Sequence, residues 1–388
     1  MLLKSVKLTN FLSFGPDSKA VPMKDLNVIV GPNGSGKSNF IEAIELLRAT
    51  PRDFHTPIRD GGGVRDWLWK GSNSAATATI EVVFDAENKT AKNIRHLLSF
   101  TETSQRLEIT EEKIENETPD YGQNDPYIFY RYHNGRGTIN VKEDKRRLQF
   151  EDVEPTESIL SQRKDPVQFP ELTYLGNLYS KFRLYREWSF GRYTTPRQPQ
   201  KTDLPNDYLE PNASNLGLVL NRLGGNPKTK KRILSELNAL YEGIDDYGVQ
   251  IEGNTVQVFF YEGSKPIPAT RLSDGTLRYL CLLAILCHPT PPPLVCIEEP
   301  ELGLHPDILP KLADLLIEAS ERTQLIVTTH SDILVDALSD TPESLLVAEK
   351  HFDGTTLTRL DAKTMQAWLE DYRLGELWTR GDIGGTRW

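Results

Sequence analysis

Three stretches of this chain place residue types at spacings that could act on a polyphosphate. The first is Gly31-Pro32-Asn33-Gly34-Ser35-Gly36-Lys37-Ser38, which satisfies the G-x-x-x-x-G-K-[ST] pattern at every fixed position. In such a loop backbone N–H groups cradle the phosphates, a lysine reaches the β- and γ-phosphates, and a hydroxyl ligates Mg2+. Lys37 and Ser38 stand at those positions, and Asn33, Gly34, Ser35, Gly36 and Asn39 complete the expected phosphate-binding set. The second stretch is the apolar run Pro293-Leu294-Val295-Cys296-Ile297, which ends in Glu298-Glu299-Pro300-Glu301. Glu298 is expected in the Mg2+ shell, and Glu299 is expected to polarise an attacking water. Glutamate at 298 is one methylene longer than the usual aspartate, which predicts metal contact through water. The third stretch, Leu325-Ile326-Val327-Thr328-Thr329, ends at His330. A histidine at a strand's C-terminal edge faces the ligand crevice of an open α/β sheet, where it would sense the γ-phosphate.

The elements that must position these groups are legible around them. Leu26–Val30 reads as a buried strand entering the loop, and Phe40, Ile41, Ile44 and Leu47 repeat at helical spacing behind it. A helix N-terminus there offers both N–H groups and a favourable dipole to an anion. Arg271-Leu272-Ser273-Asp274-Gly275-Thr276 precedes an apolar helix over 277–287. Ser273 and Gly275 either face a phosphate or simply cap that helix.

Elsewhere the sequence predicts a strand over 2–10, an aromatic turn over 11–16, a loop over 51–71 and a strand over 78–84. Gly61-Gly62-Gly63 lacks a preceding strand and a Lys-Ser ending, so it reads as a flexible turn. The stretch 86–205 is polar and broken by prolines, with short strand-like pieces at 127–132 and 138–141. It reads as an insertion or lid, since no heptad is sustained. A helix is expected over 228–241, and a hairpin of strands 247–252 and 255–261 around Gly253-Asn254. The expected organisation is a nucleotide-binding core from 1–85 and 265–388, with 86–264 as an inserted lid or partner-binding region.

The composition of the 388-residue chain is 38% hydrophobic and 26% charged, with a formal net charge of −10. That balance fits a soluble globular protein and offers nucleic acid no global attraction. Local basic runs remain, at Lys228, Lys230, Lys231 and Arg232 and over Lys142–Arg147. Either could bind a phosphate backbone, although a solvated surface is the plainer reading. Cys281, Cys287 and Cys296 match no zinc spacing and read as small core residues. The absence of a disulfide framework, a leader or a 20-residue apolar run points to a cytoplasmic protein with no membrane contact. His55, His96, His133, His288, His305 and His351 read as surface or capping residues.

The order of the motifs resembles that of ABC-type ATPase heads. The opening Val6-Lys7-Leu8-Thr9-Asn10-Phe11 is similar to the SMC, RecF and OLD branch. The whole chain, with its close Gly384-Gly385-Thr386-Arg387-Trp388, resembles stand-alone bacterial ATPases of that branch. The resemblance implies a P-loop α/β fold, with a mixed sheet, flanking helices and an inserted α+β lid. It implies ATP and Mg2+ as ligands, and two heads that sandwich two ATP molecules as a homodimer. Ser273 and Gly275 would then contact the γ-phosphate held by Lys37 of a second copy. Glu299 would be the catalytic base, His330 the switch, and Gly303–His305 a loop crossing the dimer. Such heads carry a glutamine linking Mg2+ to the lid, and Gln162 is the candidate here. The signature reads Ser-Asp-Gly-Thr rather than Ser-Gly-Gly-Gln, so Asp274 would either weaken phosphate binding or seek Arg271. The long coiled coil of SMC proteins and the Toprim nuclease of OLD proteins are not found.

The implied activity is ATP hydrolysis coupled to nucleotide-gated dimerisation, a switch or motor in DNA transactions or antiviral defence. The alternative is a very slow or non-catalytic clamp that controls a separate effector such as a nuclease. A transporter ATPase fits the polar insertion poorly, and a GTPase lacks its base-reading Asn/Thr-Lys-x-Asp motif.

Overall fold

The computed structural model describes residues 2–71, 77–85, 92–141, 147–151 (backbone) and 153–385. The chain forms two compact units: Met1–Phe182 with Glu343–Thr364 and Gly381–Trp388, and Arg183–Pro342 with Met365–Arg380. These bounds differ from the divisions at 85/86 and 264/265 expected from composition. The reason is strand pairing: Ala78–Phe84 continues antiparallel into Ile94–Thr103, and that strand into Arg106–Asn116. The polar stretch is therefore built into the sheet that the N-terminus begins.

That sheet of the first unit has eight strands, in the order Val21–Pro22, Leu3–Thr9, Ala78–Phe84, Ile94–Thr103, Arg106–Asn116, Ile128–His133, Arg136–Val141 and Arg147–Glu151. Its inward positions are filled by Leu3, Val6, Leu8, Ile80, Val82, Leu98 and Phe100, all buried. Period-two alternation, reset by a bulge between Leu3 and Ser5, puts these residues on one face. The long pair 94–103/106–116 departs from the short strand-like pieces expected in this stretch, because polar residues interrupt its apolar alternation at core positions. His96 and Glu112 are 0% and 1% exposed. Glu112 accepts hydrogen bonds from Ser158 Oγ (2.5 Å) and from the Ile159 N–H (2.8 Å). His96 sits 3.3 Å from Glu112 and 2.8 Å from the Tyr179 hydroxyl. Burial and the Glu112 charge push the Tyr179 phenol well above its ordinary range. Partners of this kind are what make a buried carboxylate tolerable, and here they pin the helices Ile159–Gln162 and Pro170–Ser180 to the sheet. His96 is thus a core residue and not a surface one. His288, 4% exposed, is likewise buried.

The same unit contains the strand Leu26–Val30, buried at every residue. It pairs in parallel with Leu345–His351, which turns back antiparallel into Gly354–Arg359. A strand buried throughout reads as an unbroken apolar run rather than an alternation, and Leu26–Val30 has that form.

The second unit holds the parallel strands Arg183–Tyr185, Leu294–Glu298 and Gln324–Thr329, with Leu294–Glu298 in the middle. The helix Asp274–Leu286 is buried at every position from Thr276 to Leu286. An all-round apolar helix must lie inside a protein, and that burial accounts for Cys281, whose thiol is pushed up by its surroundings. All three cysteines are free. A small sheet of Gln200–Lys201, Asp246–Glu252, Thr255–Glu262 and Lys265–Pro268 completes the unit. Its central hairpin turns at Gly253, whose φ of 57° suits the expected Gly-Asn turn. The helix Pro227–Leu240 follows the expected amphipathic pattern. Among the described residues no helix is long and apolar enough to cross a membrane.

Candidate functional site

The phosphate loop lies in the first unit, between the strand Leu26–Val30 and the helix Lys37–Ala49. Its glycines are required by geometry. A Cβ on Gly31 would lie 2.4 Å from the Ala348 carbonyl oxygen. Gly36, the helix N-cap with φ of 100°, would meet Thr355 Oγ1 at 2.5 Å and Ser13 Oγ at 2.6 Å. Asn33, Gly34 and Ser38 are exposed at the loop's outer face. Lys37 is only 6% exposed, and its Nζ donates to the carbonyls of Gly31 (2.8 Å) and Pro32 (3.0 Å). The ammonium is thus held over the loop, where the β- and γ-phosphates of a bound nucleotide would lie. Ser35 Oγ is buried with no hydrogen-bond partner. An orphaned hydroxyl inside an anion-shaped turn fits a loop that is completed by a ligand.

Two residues outside the motif hold this loop. Thr355 Oγ1 donates to the Ser35 carbonyl (2.9 Å) and is hydrogen-bonded to Ser13 Oγ (2.8 Å), while Asn39 Nδ2 donates to Ser13 Oγ (2.8 Å). The Ser13–Thr355 bond joins residues 342 positions apart, so no local spacing announces it. Thr355→Val removes both hydroxyl bonds with little change of shape. At about 1 kcal/mol for a hydrogen bond that positions the loop, nucleotide affinity is expected to fall about five- to tenfold, measured by direct titration.

The second unit carries the carboxylates and the histidine. The strand Leu294–Glu298 delivers Glu298 at its last position. Glu299 follows in the left-handed region at φ 46°, a strain of about 1 kcal/mol for a residue with a Cβ, and one that recurs where function fixes the backbone. Its N–H donates to the Thr328 carbonyl (3.0 Å), and its carbonyl accepts from Arg278 Nη1 (3.0 Å). These bonds aim the carboxylate at His330, whose Nε2 lies 3.3 Å from Glu299 Oε1. The predicted base and the predicted switch are therefore brought together.

Glu301 orients the histidine. It accepts from the His330 N–H (2.8 Å) and from Thr329 Oγ1 (2.7 Å), and its other oxygen is buried without a partner. Burial pushes its carboxyl above the ordinary 4.5, against those two donors. A carboxyl raised by folding favours the folded state when protonated. Its contribution is fully present below the unfolded pKa and is lost as pH rises through the folded one. Glu301→Gln keeps the accepting oxygen and removes the charge. Its melting temperature is therefore expected to decline less than the wild type's as pH rises from 4.5 toward neutrality, measured by scanning calorimetry.

Ser273 caps the helix Asp274–Leu286, its Oγ accepting from the Thr276 N–H (3.0 Å). Both candidate roles of that serine share this position. A Cβ on Gly275 would lie 2.6 Å from the Gly303 carbonyl oxygen, so the signature turn backs directly onto the Gly303–His305 loop. Asp274 does not seek Arg271. Its carboxylate is paired with Arg197, a residue only 6% exposed. Arg186 is a further residue that spacing did not reveal. Its Nε donates to Glu298 Oε2 at 2.9 Å.

Gln162 is used locally. Its Nε2 donates to the carbonyls of Glu154 (3.2 Å) and Glu157 (2.9 Å), and its Oε1 accepts from the Glu154 N–H (3.1 Å). That amide closes a loop, and a Mg2+ role would have to break it. In the basic run on the helix Pro227–Leu240, Lys230 pairs with Asp246 (2.8 Å) and Arg232 with Glu318 (2.7 Å). Of the second run, Lys142–Arg146 lies outside the described residues, as do Thr386-Arg387-Trp388 at the close. No cluster of His, Cys, Asp and Glu among the described residues forms a metal cage. Mg2+ in nucleotide sites is held by one or two protein oxygens and the phosphates, and the Ser38 hydroxyl and Glu298 carboxylate are oxygen donors of that kind.

Residues 26–336 match the protein family described as "AAA domain, putative AbiEii toxin, Type IV TA system". The chromosome partition protein Smc of Xanthomonas oryzae pv. oryzae is 33% identical over 108 residues, 27% of this chain and 9% of that protein. Smc of Coxiella burnetii is 36% identical over 89 residues, 22% of this chain and 7% of that protein. The chain thus spans less than a tenth of the curated relatives it matches. Among solved structures, an Smc head bound to the C-terminal winged-helix domain of ScpA aligns with a TM-score of 0.57 at 14% identity, covering 94% of this chain and 99% of that one. The Smc head of Pyrococcus furiosus, with an extended coiled coil and bound to the C-terminal domain of ScpA, gives 0.57 at 13% identity over 96% and 99%. The fold is that of SMC-type P-loop NTPase heads.

Proposed function

Because the chain belongs to this family of AAA domains and is a head-type ATPase domain of the SMC and ABC kind, we propose that it binds Mg2+-ATP and hydrolyses it in a nucleotide-gated homodimer. The observation that carries the reading is the Glu299–His330 pair, held at 3.3 Å on a left-handed backbone at a strand end. A carboxylate fixed against an imidazole suits the removal of a proton from water. Asn33 to Asn39 bind the phosphates, and Lys37 neutralises charge on the β- and γ-phosphates. Ser38 and Glu298 are the oxygen donors that would hold Mg2+, and the ion would supply charge neutralisation on the transferred group. Glu299 accepts the water's proton, and His330 reports the γ-phosphate. Ser273 and Gly275 close on the nucleotide of a second copy.

The Smc heads of similar fold are bound to ScpA domains, which supports a protein partner or effector such as a nuclease. The Arg186–Glu298 ion pair favours a second reading, slow turnover in an ATP-held regulatory subunit, because it occupies the carboxylate that Mg2+ would use. A biological role in DNA transactions or antiviral defence accords with the family. Light scattering tests the gating. The mass is expected to double with ATP and to revert as ATP is consumed, and a mass indifferent to ATP, ADP and a non-hydrolysable analogue would overturn it.

A further inference from the structure

The helix Lys37–Ala49 starts at the phosphate loop and ends beside a cavity of about 470 Å³ that lies wholly within the first unit. Its 13 residues, at about 1.5 Å each, separate the two by about 20 Å. A cavity of this size is in the range of small-molecule sites. Arg52, Arg163 and Lys164 stand in its wall, and among the described residues no carboxylate does. Three cations gathered on one cavity run against the character of a chain whose formal net charge is −10. The carboxylates next to them in sequence are taken up by backbone. Asp53 Oδ1 accepts from the N–H groups of His55 (3.0 Å) and Thr56 (3.2 Å), and Asp165 Oδ1 from those of Val167 (2.8 Å) and Gln168 (3.1 Å). Arg52 and Lys164 are exposed, and neither makes an ion pair among the described residues. Cations are favoured near helix C-termini by the dipole, and Arg163 Nη1 donates to the Gln162 carbonyl (3.2 Å) in that manner. The dipole accounts for each such residue singly. It does not account for three of them, from two separate segments, converging on one cavity.

The remaining wall suits an organic ligand. Pro51, Leu160, Pro166 and Leu172 give the cavity apolar surface. Thr173 also lines it, and its hydroxyl is buried without a hydrogen-bond partner, although a threonine inside a helix can bond back one turn. Both helical parts of the wall are fixed from behind by the buried polar cluster of the sheet. Glu112 holds the helix Ile159–Gln162 through Ser158 and the Ile159 N–H, and His96 holds the helix Pro170–Ser180 through the Tyr179 hydroxyl. The backbone that carries Arg163 and Lys164 is therefore in place before any ligand arrives, which lowers the ordering cost of binding.

We propose that this cavity binds a free phosphate monoester whose organic body is of nucleoside size. Arg52 and Arg163 offer forked donors to the phosphate oxygens, and Lys164 adds a compact charge. Leu160 and Leu172 pack against the body. A bare phosphate would leave most of the cavity and its apolar surface unfilled. The site is separate from the phosphate loop, so the proposal does not rest on the nucleotide reading above.

Calorimetric titration of the full chain tests it, with the common nucleoside 5′-monophosphates, the matching nucleosides and inorganic phosphate as probes. At least one monophosphate is expected to bind with Kd below about 1 mM. Its nucleoside and inorganic phosphate are each expected to bind at least about tenfold more weakly. Arg52→Ala and Lys164→Ala, both at exposed positions, are each expected to weaken that monophosphate about tenfold and to leave the melting temperature unchanged. Lys37→Ala is expected to leave its affinity unchanged, which separates this cavity from the phosphate loop. The proposal is overturned if no monophosphate binds, or if binding is lost in Lys37→Ala and kept in Arg52→Ala and Lys164→Ala. It is also overturned if a 5′-phosphorylated single-stranded oligonucleotide binds more tightly than every monophosphate with the same dependence on Arg52 and Lys164, since the cations would then serve a nucleic-acid strand.

Discussion

Replacing Lys37 with alanine is expected to lower ATP affinity by about two to three orders of magnitude. The argument begins with where the ammonium sits. In the free protein Nζ is bonded to the carbonyls of Gly31 and Pro32 and is almost wholly buried. Its position over the loop is thus set before any ligand arrives, and little side-chain entropy remains to be lost on binding. Hydrogen bonds between charged partners contribute about 1.5–3 kcal/mol each, and a lysine of this kind serves two phosphates. Removing it forfeits both contacts and leaves the phosphate charge to the backbone dipoles and the metal. Calorimetric titration with Mg2+-ATP measures the loss. Lys37→Arg, which keeps the charge but not the length, is expected to recover only part of it. Unchanged affinity in Lys37→Ala would mean that the loop does not hold the triphosphate.

The second large effect is expected at Glu299. Glu299→Gln removes the basic oxygen while preserving shape, and positioned general bases contribute about 10²- to 10⁴-fold to turnover. Steady-state phosphate release should fall by that factor. ATP retention should rise, because the neutral amide no longer repels the γ-phosphate. The strained backbone at φ 46° is fixed by Thr328 and Arg278 through main-chain atoms, so the substitution should leave the fold intact, which a melting curve checks. The variant loaded with ATP is then expected to accumulate as a dimer.

Much of the site was legible because its parts are short and contiguous. An apolar strand, a glycine turn and a helix start lie side by side at 26–49, and the strands ending at Glu298 and His330 are apolar runs bounded by charge. What local spacing does not show is whatever depends on distant pairing. Thr355 braces the loop across 342 positions, and Arg186 reaches Glu298 across 112. The pairing of Asp274 with Arg197 rather than the neighbouring Arg271 likewise follows from a fold in which residues 186–197 pass over the turn. The strands 94–103 and 106–116 were hidden for another reason. A buried carboxylate satisfied by Ser158, Ile159 and His96 occupies a core position with a residue type that reads as surface. Side-chain type alone points to Gln162, and its amide is spent on its own loop.

The central claim is that this chain hydrolyses ATP with Glu299 as the base, and steady-state phosphate release at saturating Mg2+-ATP tests it most directly. The account predicts release above background for the wild type, reduced by at least about two orders of magnitude in Glu299→Gln. Equal rates in the two proteins, at background or above it, would contradict it.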